Sequence, residues 1–169
     1  MPRLRFTISC FFLLLVFSDL AAQNLSGVVN RYYKVIGINA ATHVVKVDNA
    51  SYLASKQRGL LIQMKGADIN QTSPTNNVNW GNITSINNAG KFELVTVCGL
   101  NADSVIFERE IKNTYDVNGY VQLVIFPDLV TSATVVDSVF AAPWDSTAGK
   151  GGVVFINVDD TVYLNDDIV

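Results

Sequence analysis

The side chains that most often carry catalysis or hold metal ions are scarce in this chain. Its 169 residues contain one histidine, His43, and two cysteines, Cys10 and Cys98. Nucleophilic, acid–base and zinc chemistry usually need such residues to work with a second polar group. The carboxylates are scattered and form no recognisable pair. The sequence therefore predicts no catalytic residue, no metal site and no bound cofactor.

One glycine-rich segment, Gly149-Lys150-Gly151-Gly152, has some of the residues of a phosphate-binding loop. A P-loop carries Ser or Thr directly after its Lys and leads into a helix. Here a Gly follows Lys150, and the next residues, Val153 to Val158, have the apolar pattern of a strand. We therefore do not expect a nucleotide site.

An acidic cluster near the carboxyl end has the oxygen ligands that Ca²⁺ prefers. Its members are Asp159, Asp160, Asn165, Asp166 and Asp167. The spacing matches no calcium-binding repeat, and Asp and Asn are ordinary turn residues. We interpret the cluster as two turns between strands.

Three aromatic residues, Trp80, Trp144 and Tyr120, are candidates for a sugar-binding platform. An aromatic face covers the apolar face of a pyranose ring, provided that the rings are exposed and coplanar. For Trp80, which enters a predicted strand, we expect core packing instead. A carbohydrate-binding role therefore depends on how these rings are oriented.

Residues 1–22 have the pattern of a secretory signal peptide. Arg3 and Arg5 precede an apolar run from Ile8 to Phe17, which small residues follow. The run is shorter than the ~20 apolar residues that a membrane-spanning helix needs. We expect cleavage before Gln23 and a secreted or cell-surface location, and the alternative is a permanent membrane anchor.

The charge of the chain argues against two classes of binding partner. The formal net charge is −3, and the Lys and Arg residues are scattered along the sequence. Nucleic acids and anionic membrane surfaces need clustered basic residues. We therefore expect no nucleic-acid partner and, once the signal peptide is removed, no membrane contact. Only Cys98 remains after cleavage, so the mature chain cannot form an internal disulfide.

The apolar residues after the leader recur with period two or in short runs rich in Val, Ile, Tyr, Phe and Thr, which favours strands. Turn-forming Asn, Asp and Gly residues separate these runs, so consecutive strands should pair as antiparallel hairpins. Ser51 to Arg58 is a helical candidate that allows at most one turn. The predicted strands are Tyr32–Ile38, His43–Val47, Leu60–Lys65, Asn82–Ile86, Phe92–Val97, Val105–Glu108, Val121–Phe126, Thr134–Val139, Val153–Val158 and Thr161–Leu164. The residues predicted to contribute to the core are Tyr33, Val35, Ile62, Ile83, Phe92, Leu94, Ile106, Leu123 and Ile125.

We predict an all-β chain in which a small SH3-like barrel or sandwich of antiparallel hairpins leads into the first coil of a β-solenoid. A composition shift at Asp145–Gly152 divides residues 23–144 from residues 145–169. The second part alternates strands with acidic corners, which is typical of a solenoid. Such a coil needs stacked neighbours to bury its apolar face. We therefore expect the chain to belong to a longer polypeptide whose downstream repeats are its partner.

The stretch Leu-Ile-Gln-Met-Lys-Gly-Ala at residues 61–67 is the most specific of several stretches that resemble, in order, the amino-terminal region of large secreted surface proteins of gliding Bacteroidetes and related bacteria. The resemblance covers nearly all of the chain after residue 22. In one departure, Lys56-Gln57-Arg58-Gly59 stands where similar sequences often have a Gly-Asp turn. The other matching stretches are Asn30–Val35, Gly81–Ile86, Asn88–Glu93, Tyr115–Val117, Val121–Val124, Ala142–Trp144 and Gly151–Leu164. The resemblance contains no catalytic motif, and it implies export by the type IX secretion system.

These observations lead to one main hypothesis about function and two alternatives. The main hypothesis is a non-catalytic structural head or capping module of a large adhesion or gliding-associated surface protein. The first alternative is the amino-terminal module of a solenoid carbohydrate-active enzyme whose paired carboxylates lie on later coils. The second is a carbohydrate-binding module that uses Trp80, Trp144 and Tyr120, with surface polysaccharide as its partner.

Overall fold

The computed structural model describes residues 22–72, 78–129 and 131–169, and within these ranges the chain is all-β. The predicted signal peptide lies, apart from Ala22, outside the described residues. Among the described residues, no helix is long and apolar enough to cross a membrane. The strands are β1 (Gln23–Gly27), β2 (Arg31–Asn39), β3 (Val44–Val47), β4 (Arg58–Gln63), β5 (Asp68–Ile69), β6 (Ile83–Ser85), β7 (Phe92–Asn101), β8 (Ser104–Phe107), β9 (Val121–Ile125), β10 (Asp128–Leu129), β11 (Ala133–Val139), β12 (Asn157–Val158) and β13 (Val162–Leu164).

Six antiparallel strands form a closed barrel in the order β2-β3-β8-β7-β4-β9. Strand β9 closes it, because Leu123 pairs with Tyr33 of β2 on one side and with Leu61 of β4 on the other. Closure leaves none of these strands with a long unpaired edge. The buried core residues are Tyr33, Val35, Val45, Val47, Leu53, Leu61, Val95, Val97, Val105, Phe107, Ile111, Val121, Leu123 and Ile125.

Short polar turns set the hairpins of the barrel. Between β2 and β3, the side chain of Asn39 accepts a hydrogen bond from the backbone N–H of Thr42 and caps a 3₁₀ turn at Ala40–Thr42. His43 ends that turn in the left-handed region with φ of 56°. These are the Asn-rich turns that the sequence predicts between strands.

A second group of strands pairs in parallel. Strand β11 lies between β1 and β13, and β10 pairs with β12. Ala133 pairs with Val162 and Asp128 with Asn157, so each partner comes 29 residues later in the chain. This constant offset is the geometry of stacked solenoid coils. We call this group the stacked coil. The boundary predicted at residue 145 stays a prediction. Strand β11 precedes residue 145 and pairs with β13, which follows it.

Strand β1 belongs to the stacked coil although it precedes the barrel in the sequence. Leu25 of β1 pairs with Val135 of β11 on the side opposite to β13. The barrel is therefore inserted between two strands that pair with each other. The apolar cluster of the stacked coil consists of Leu25, Ala133, Val135 and Val139, with Val29, Val154, Ile156 and Val158 packed against it.

The prediction of core burial is wrong for four of the nine residues. Ile83, Phe92 and Leu94 are 65%, 60% and 52% exposed, and Ile106 lies on the outer surface as well. Strand β7 instead turns Val95 and Val97 inward. It carries apolar residues on both faces, so a period of two does not show which face points to the core. Ile83 lies on the β5–β6 hairpin, outside the barrel. Ile62 is only partly buried.

The predicted strand Val153–Val158 forms only at Asn157–Val158. The preceding backbone bonds to side chains of the barrel, because Val153 O accepts the hydroxyl of Tyr32 and Phe155 pairs with the amide of Asn30. The helical candidate Ser51–Arg58 forms turns only, within the predicted limit. The apolar pattern of the sequence did not predict β1, β5 and β10, which are short or pair with distant strands.

Candidate functional site

Two buried amide side chains fasten the segment between β11 and β12 to the outside of the barrel. Gln122 of β9 is fully buried and exchanges two hydrogen bonds of 3.0 Å with the backbone of Gly151. Asn30 makes the same kind of exchange with Phe155, at 2.7 and 2.9 Å. Each pair satisfies both polar groups of a buried amide. The segment, which carries Trp144, is therefore held at a fixed position on the barrel.

Tyr120 lies where this segment meets the barrel. The side chain of Asp116 caps the 3₁₀ turn Val117–Gly119, and Tyr120 follows it in the left-handed region with φ of 55°. A Cβ at Gly149 would lie 2.5 Å from Cδ1 of Tyr120, so only glycine lets the backbone approach the ring this closely. The position of the ring is therefore set by the backbone on both sides.

Two lysines and a tryptophan surround the Tyr120 ring. The Nζ of Lys65 is 4.5 Å from the ring centroid, and the Nζ of Lys34 is 5.8 Å from it. The Trp144 ring lies 5.8 Å away, with its plane at 79° to that of Tyr120. We call these four residues the Tyr120 cluster. Cations over an aromatic face are attracted by its negative quadrupole.

The polar groups of the Tyr120 cluster have no hydrogen-bond partner within the part of the chain that the structure describes. Among the described residues, the Nζ atoms of Lys34 and Lys65, the hydroxyl of Tyr120 and the indole N–H of Trp144 make no hydrogen bond or ion pair. All four can donate hydrogen bonds. The cluster is therefore a surface rich in unused donors.

The carboxylates close by are already engaged. Asp48 accepts the backbone N–H of Lys34 and forms an ion pair of 2.6 Å with Lys150. Asp145 accepts the backbone N–H groups of Ala148 and Thr147, and these hydrogen bonds hold the pKa of its carboxyl below the ordinary value. Neither carboxylate forms an ion pair with Lys34 or Lys65 among the described residues.

Three shallow hollows follow β2 past the cluster. The first, of about 350 Å³, is lined by Lys34, Val35, Ile36, Val117, Asn118 and Tyr120. The second, of about 220 Å³, is lined by Tyr32, Ala142, Pro143, Asp145, Ala148, Lys150 and Gly151. The third, of about 300 Å³, is lined by Arg31, Tyr32, Tyr33, Asn49, Ser51, Tyr52 and Lys150. The last two share Tyr32 and Lys150, and Lys34 follows them along the strand. We refer to the three hollows, which all have lining residues on β2, as the β2 groove.

A separate cleft of about 260 Å³ opens near the ends of β7 and β8. Its charged lining residues are Arg58, Glu108, Arg109 and Glu110. Charges of both signs alternate there, so the cleft has no net preference for a ligand of one charge.

The aromatic residues singled out in the sequence are only partly brought together. Tyr120 and Trp144 are in contact but nearly perpendicular, so they do not form the coplanar platform that a flat sugar-stacking surface requires. Trp80 is 54% exposed in the turn before β6, and its predicted core packing is wrong. In the structure, the rings of Tyr120 and Trp144 instead meet edge to face and form a corner.

The acidic corners of the stacked coil bond to the strand beside them. Asp160 accepts the hydroxyl of Ser132 at 3.1 Å, and Asp166 accepts that of Ser138 at 3.2 Å. Within the described ranges, no group of three His, Cys, Asp or Glu side chains is placed to hold a metal ion. These carboxylates thus connect one coil to the next.

Sequence reasoning named Tyr120 and Trp144 but missed Lys34, Lys65 and Gln122. Lys34 of β2 lies 31 residues before Lys65, which follows β4, and both reach the Tyr120 ring because β2 and β4 flank β9. Gln122 did carry a signal, because it is the polar residue inside the apolar run Val121–Ile125. A polar side chain in a strand that is buried on both faces must find a specific partner.

Comparisons with known proteins give no family. No family model matches the chain, and no curated protein is significantly similar to it. One similar solved structure is the Gp54 tailspike of Acinetobacter baumannii bacteriophage AP22 in complex with A. baumannii capsular saccharide, with 12% identity over 66% of this chain and a TM-score of 0.41. Another is the tailspike protein gp49 from Pseudomonas phage LKA1, with 10% identity over 73% of this chain and a TM-score of 0.39. The chain spans 17% and 19% of the length of these two proteins.

Proposed function

We propose that the chain is the non-catalytic head of a large secreted or cell-surface protein, in which the barrel and β1 cap the first coil of a β-solenoid. The observation that carries this proposal is the position of β1. It pairs with β11 on the side opposite to β13, where a preceding coil would otherwise stack. Solenoids need a cap at this position because an open first coil exposes its apolar face and its backbone edge.

The barrel strengthens this cap. Phe155 packs on Phe126 at the end of β9, with ring centroids 4.6 Å apart, and Gln122 and Asn30 bind the backbone of the same segment. The barrel and the coil therefore share an interface of buried amides and aromatic rings. A module fastened in this way holds the start of the solenoid rigidly.

The other side of the stacked coil is the expected site of the downstream repeats. Strand β13 has β11 as its strand partner among the described residues, and its Val162, Tyr163 and Leu164 are exposed. A further coil of the same polypeptide would cover these side chains and pair with the free edge of β13. An adhesion or gliding-associated role then belongs to the assembled surface protein, as the sequence resemblance implies.

Hydrogen exchange tests the proposal directly. The amides of β12 and β13 should exchange markedly more slowly in a longer product that carries two or three coils beyond β13 than in the 169-residue chain. Amides of β9, at the centre of the barrel, serve as the control and should be equally protected in both. If β13 in the monomeric 169-residue chain is already as protected as in the longer product, it does not receive a further coil and the capping role is wrong.

The non-catalytic part of the proposal has its own test. His43 acts through its backbone, since its N–H donates to Ala40 O at 3.2 Å and its carbonyl accepts the N–H of Phe107 at 2.8 Å. We expect no turnover of polysaccharide, ester or peptide substrates by the chain. Turnover that disappears in a folded His43→Ala variant would show that the protein is an enzyme.

A further inference from the structure

The Tyr120 cluster concentrates positive charge on a chain that is acidic overall. Lys34 and Lys65 both face the ring of Tyr120, and neither has an anionic partner among the described residues. The formal net charge of the chain is nevertheless −3. We propose that the Tyr120 cluster binds an acidic polysaccharide, with the carboxylate or sulfate group of one sugar held between the ammonium groups of Lys34 and Lys65.

The arrangement of the two lysines is more favourable with an anion than without one. One cation over an aromatic ring contributes modestly to stability. A second cation over the same ring adds a similar attraction but also repels the first. An anion bound between the two ammonium groups removes this repulsion and forms charge-assisted hydrogen bonds. A ligand is therefore a better explanation of the pair than fold stability.

The remaining groups of the cluster suit the hydroxyl groups of a sugar. The hydroxyl of Tyr120 and the indole N–H of Trp144 are free donors among the described residues, and the two rings meet edge to face at 79°. Such a corner offers a partly apolar wall next to polar atoms. The adjoining hollow of about 350 Å³ is at the small end of the range for small-molecule sites, which suits one sugar unit better than a large ligand.

The β2 groove favours a polymer over a single sugar. Beyond Lys34 the groove continues past Lys150 to Arg31 and the exposed ring of Tyr52. A chain of sugars could thus contact several hollows in succession. The basic residues are too few and too widely spaced to follow the closely spaced phosphates of a nucleic acid, which need a continuous basic track.

This inference deepens the proposed function, since it gives the head module a ligand, but its test does not involve the stacked coil. Isothermal titration calorimetry of the full chain at low salt, with polygalacturonate, dextran sulfate and neutral dextran, measures the binding. We expect binding to at least one of the two acidic polymers and none to dextran. The carboxylated and sulfated polymers separate the two kinds of anionic group.

The decisive comparison is between two double variants with the same change in charge. Lys34→Gln with Lys65→Gln should weaken binding at least about tenfold, the equivalent of one good contact. Lys46→Gln with Lys112→Gln removes two exposed lysines elsewhere on the chain and should leave the affinity unchanged. Circular dichroism checks that both variants fold, and Lys65→Gln alone replaces the first double variant if that variant unfolds.

Three results would overturn the inference. One is that the chain binds neither acidic polymer. Another is that both double variants lose affinity equally, which would mean that the attraction is spread over the whole surface. The third is that duplex DNA binds as tightly as the acidic polysaccharides, because the site would then respond to charge alone. None of these results bears on hydrogen exchange in β13, so this inference and the capping role can fail separately.

Discussion

The barrel closes on itself, whereas in the stacked coil β13 pairs with β11 alone among the described strands. In the barrel each strand has two neighbours, and the fully buried residues Val35, Leu61 and Leu123 lie in one continuous core. Among the described residues, the apolar cluster of the stacked coil has four buried members, Leu25, Ala133, Val135 and Val139. The barrel can therefore stabilise itself, while the coil depends on the barrel and on β1 to cover it. The contrast is between a closed barrel with its own core and a parallel sheet with a much smaller apolar cluster.

The same substitution in the two regions should have very different effects. Leu123→Ala creates a cavity where β2, β4 and β9 meet, and we expect it to lower the free energy of unfolding by about 3–5 kcal/mol. Leu25→Ala affects the smaller cluster of the stacked coil and should cost about 2 kcal/mol, mainly as local opening of β1. Urea denaturation measures the first effect and hydrogen exchange the second.

Leu94→Ala is the matched control for these variants. Leu94 is more than half exposed on the outside of β7, so its truncation should change stability by no more than about 0.5 kcal/mol. A loss as large as that of Leu123→Ala would mean that the outer face of β7 is covered. Global unfolding in Leu25→Ala would mean that the two regions form one cooperative unit.

The difference between the two regions also explains what the sequence could predict. Hairpins such as β2–β3 and β7–β8 join neighbouring strands through Asn and Asp turns, and local patterns are enough to find them. The pairing of Leu25 with Val135 joins residues that are far apart in the chain and has no local signal. The acidic corners of the stacked coil could be predicted as turns, but strand β1, which pairs with β11, could not.

In the candidate site, too, some residues could be predicted from the local sequence and others could not. Aromatic residues are rare enough to be singled out, so Tyr120 and Trp144 could be named from the sequence. Lysines on strands usually face solvent, so Lys34 and Lys65 looked ordinary until barrel closure brought them to one ring. The relative orientation of the two rings depends on the segment that Gln122 and Asn30 hold in place, and a sequence pattern does not encode it.

The interface between the two regions can be broken at one residue. Gln122→Ala leaves the buried N–H and C=O of Gly151 without partners, which should destabilise that contact by about 1–3 kcal/mol. We expect faster hydrogen exchange in the segment 149–156, while the amides of β4 and β7 keep their protection. Gln71→Ala, at an exposed position, is the control and should match the wild type. Unchanged exchange in the segment would show that the barrel does not hold it.

The smallest expected effect is a loss of stability at alkaline pH, and it arises from Tyr115, which packs against the barrel core. Tyr115 contacts Leu61 O through its hydroxyl at 3.4 Å, and burial raises the pKa of its phenol well above the ordinary 10.0. The Asn113 side chain acts in the opposite direction, and the Glu93 carboxylate adds to the rise. The phenol therefore stays protonated in the folded chain at a pH where it ionises in the unfolded chain.

The sign of the pH dependence follows from this difference. Below pH 10 both states keep the proton, and the contribution of Tyr115 to stability is fully present. Above that pH the unfolded chain releases the Tyr115 proton while the folded chain keeps it. The free energy of unfolding therefore falls as the pH rises toward the pKa of the folded state. The loss is less than about 1.4 kcal/mol per pH unit, because the side chain is partly exposed. Tyr115→Phe keeps the ring but removes the proton. Its melting temperature should therefore fall less between pH 9 and pH 11 than that of the wild type, whereas Tyr163→Phe on the exposed β13 should follow the wild type. Equal losses in Tyr115→Phe and the wild type would mean that ionisation of Tyr115 does not limit the barrel at high pH.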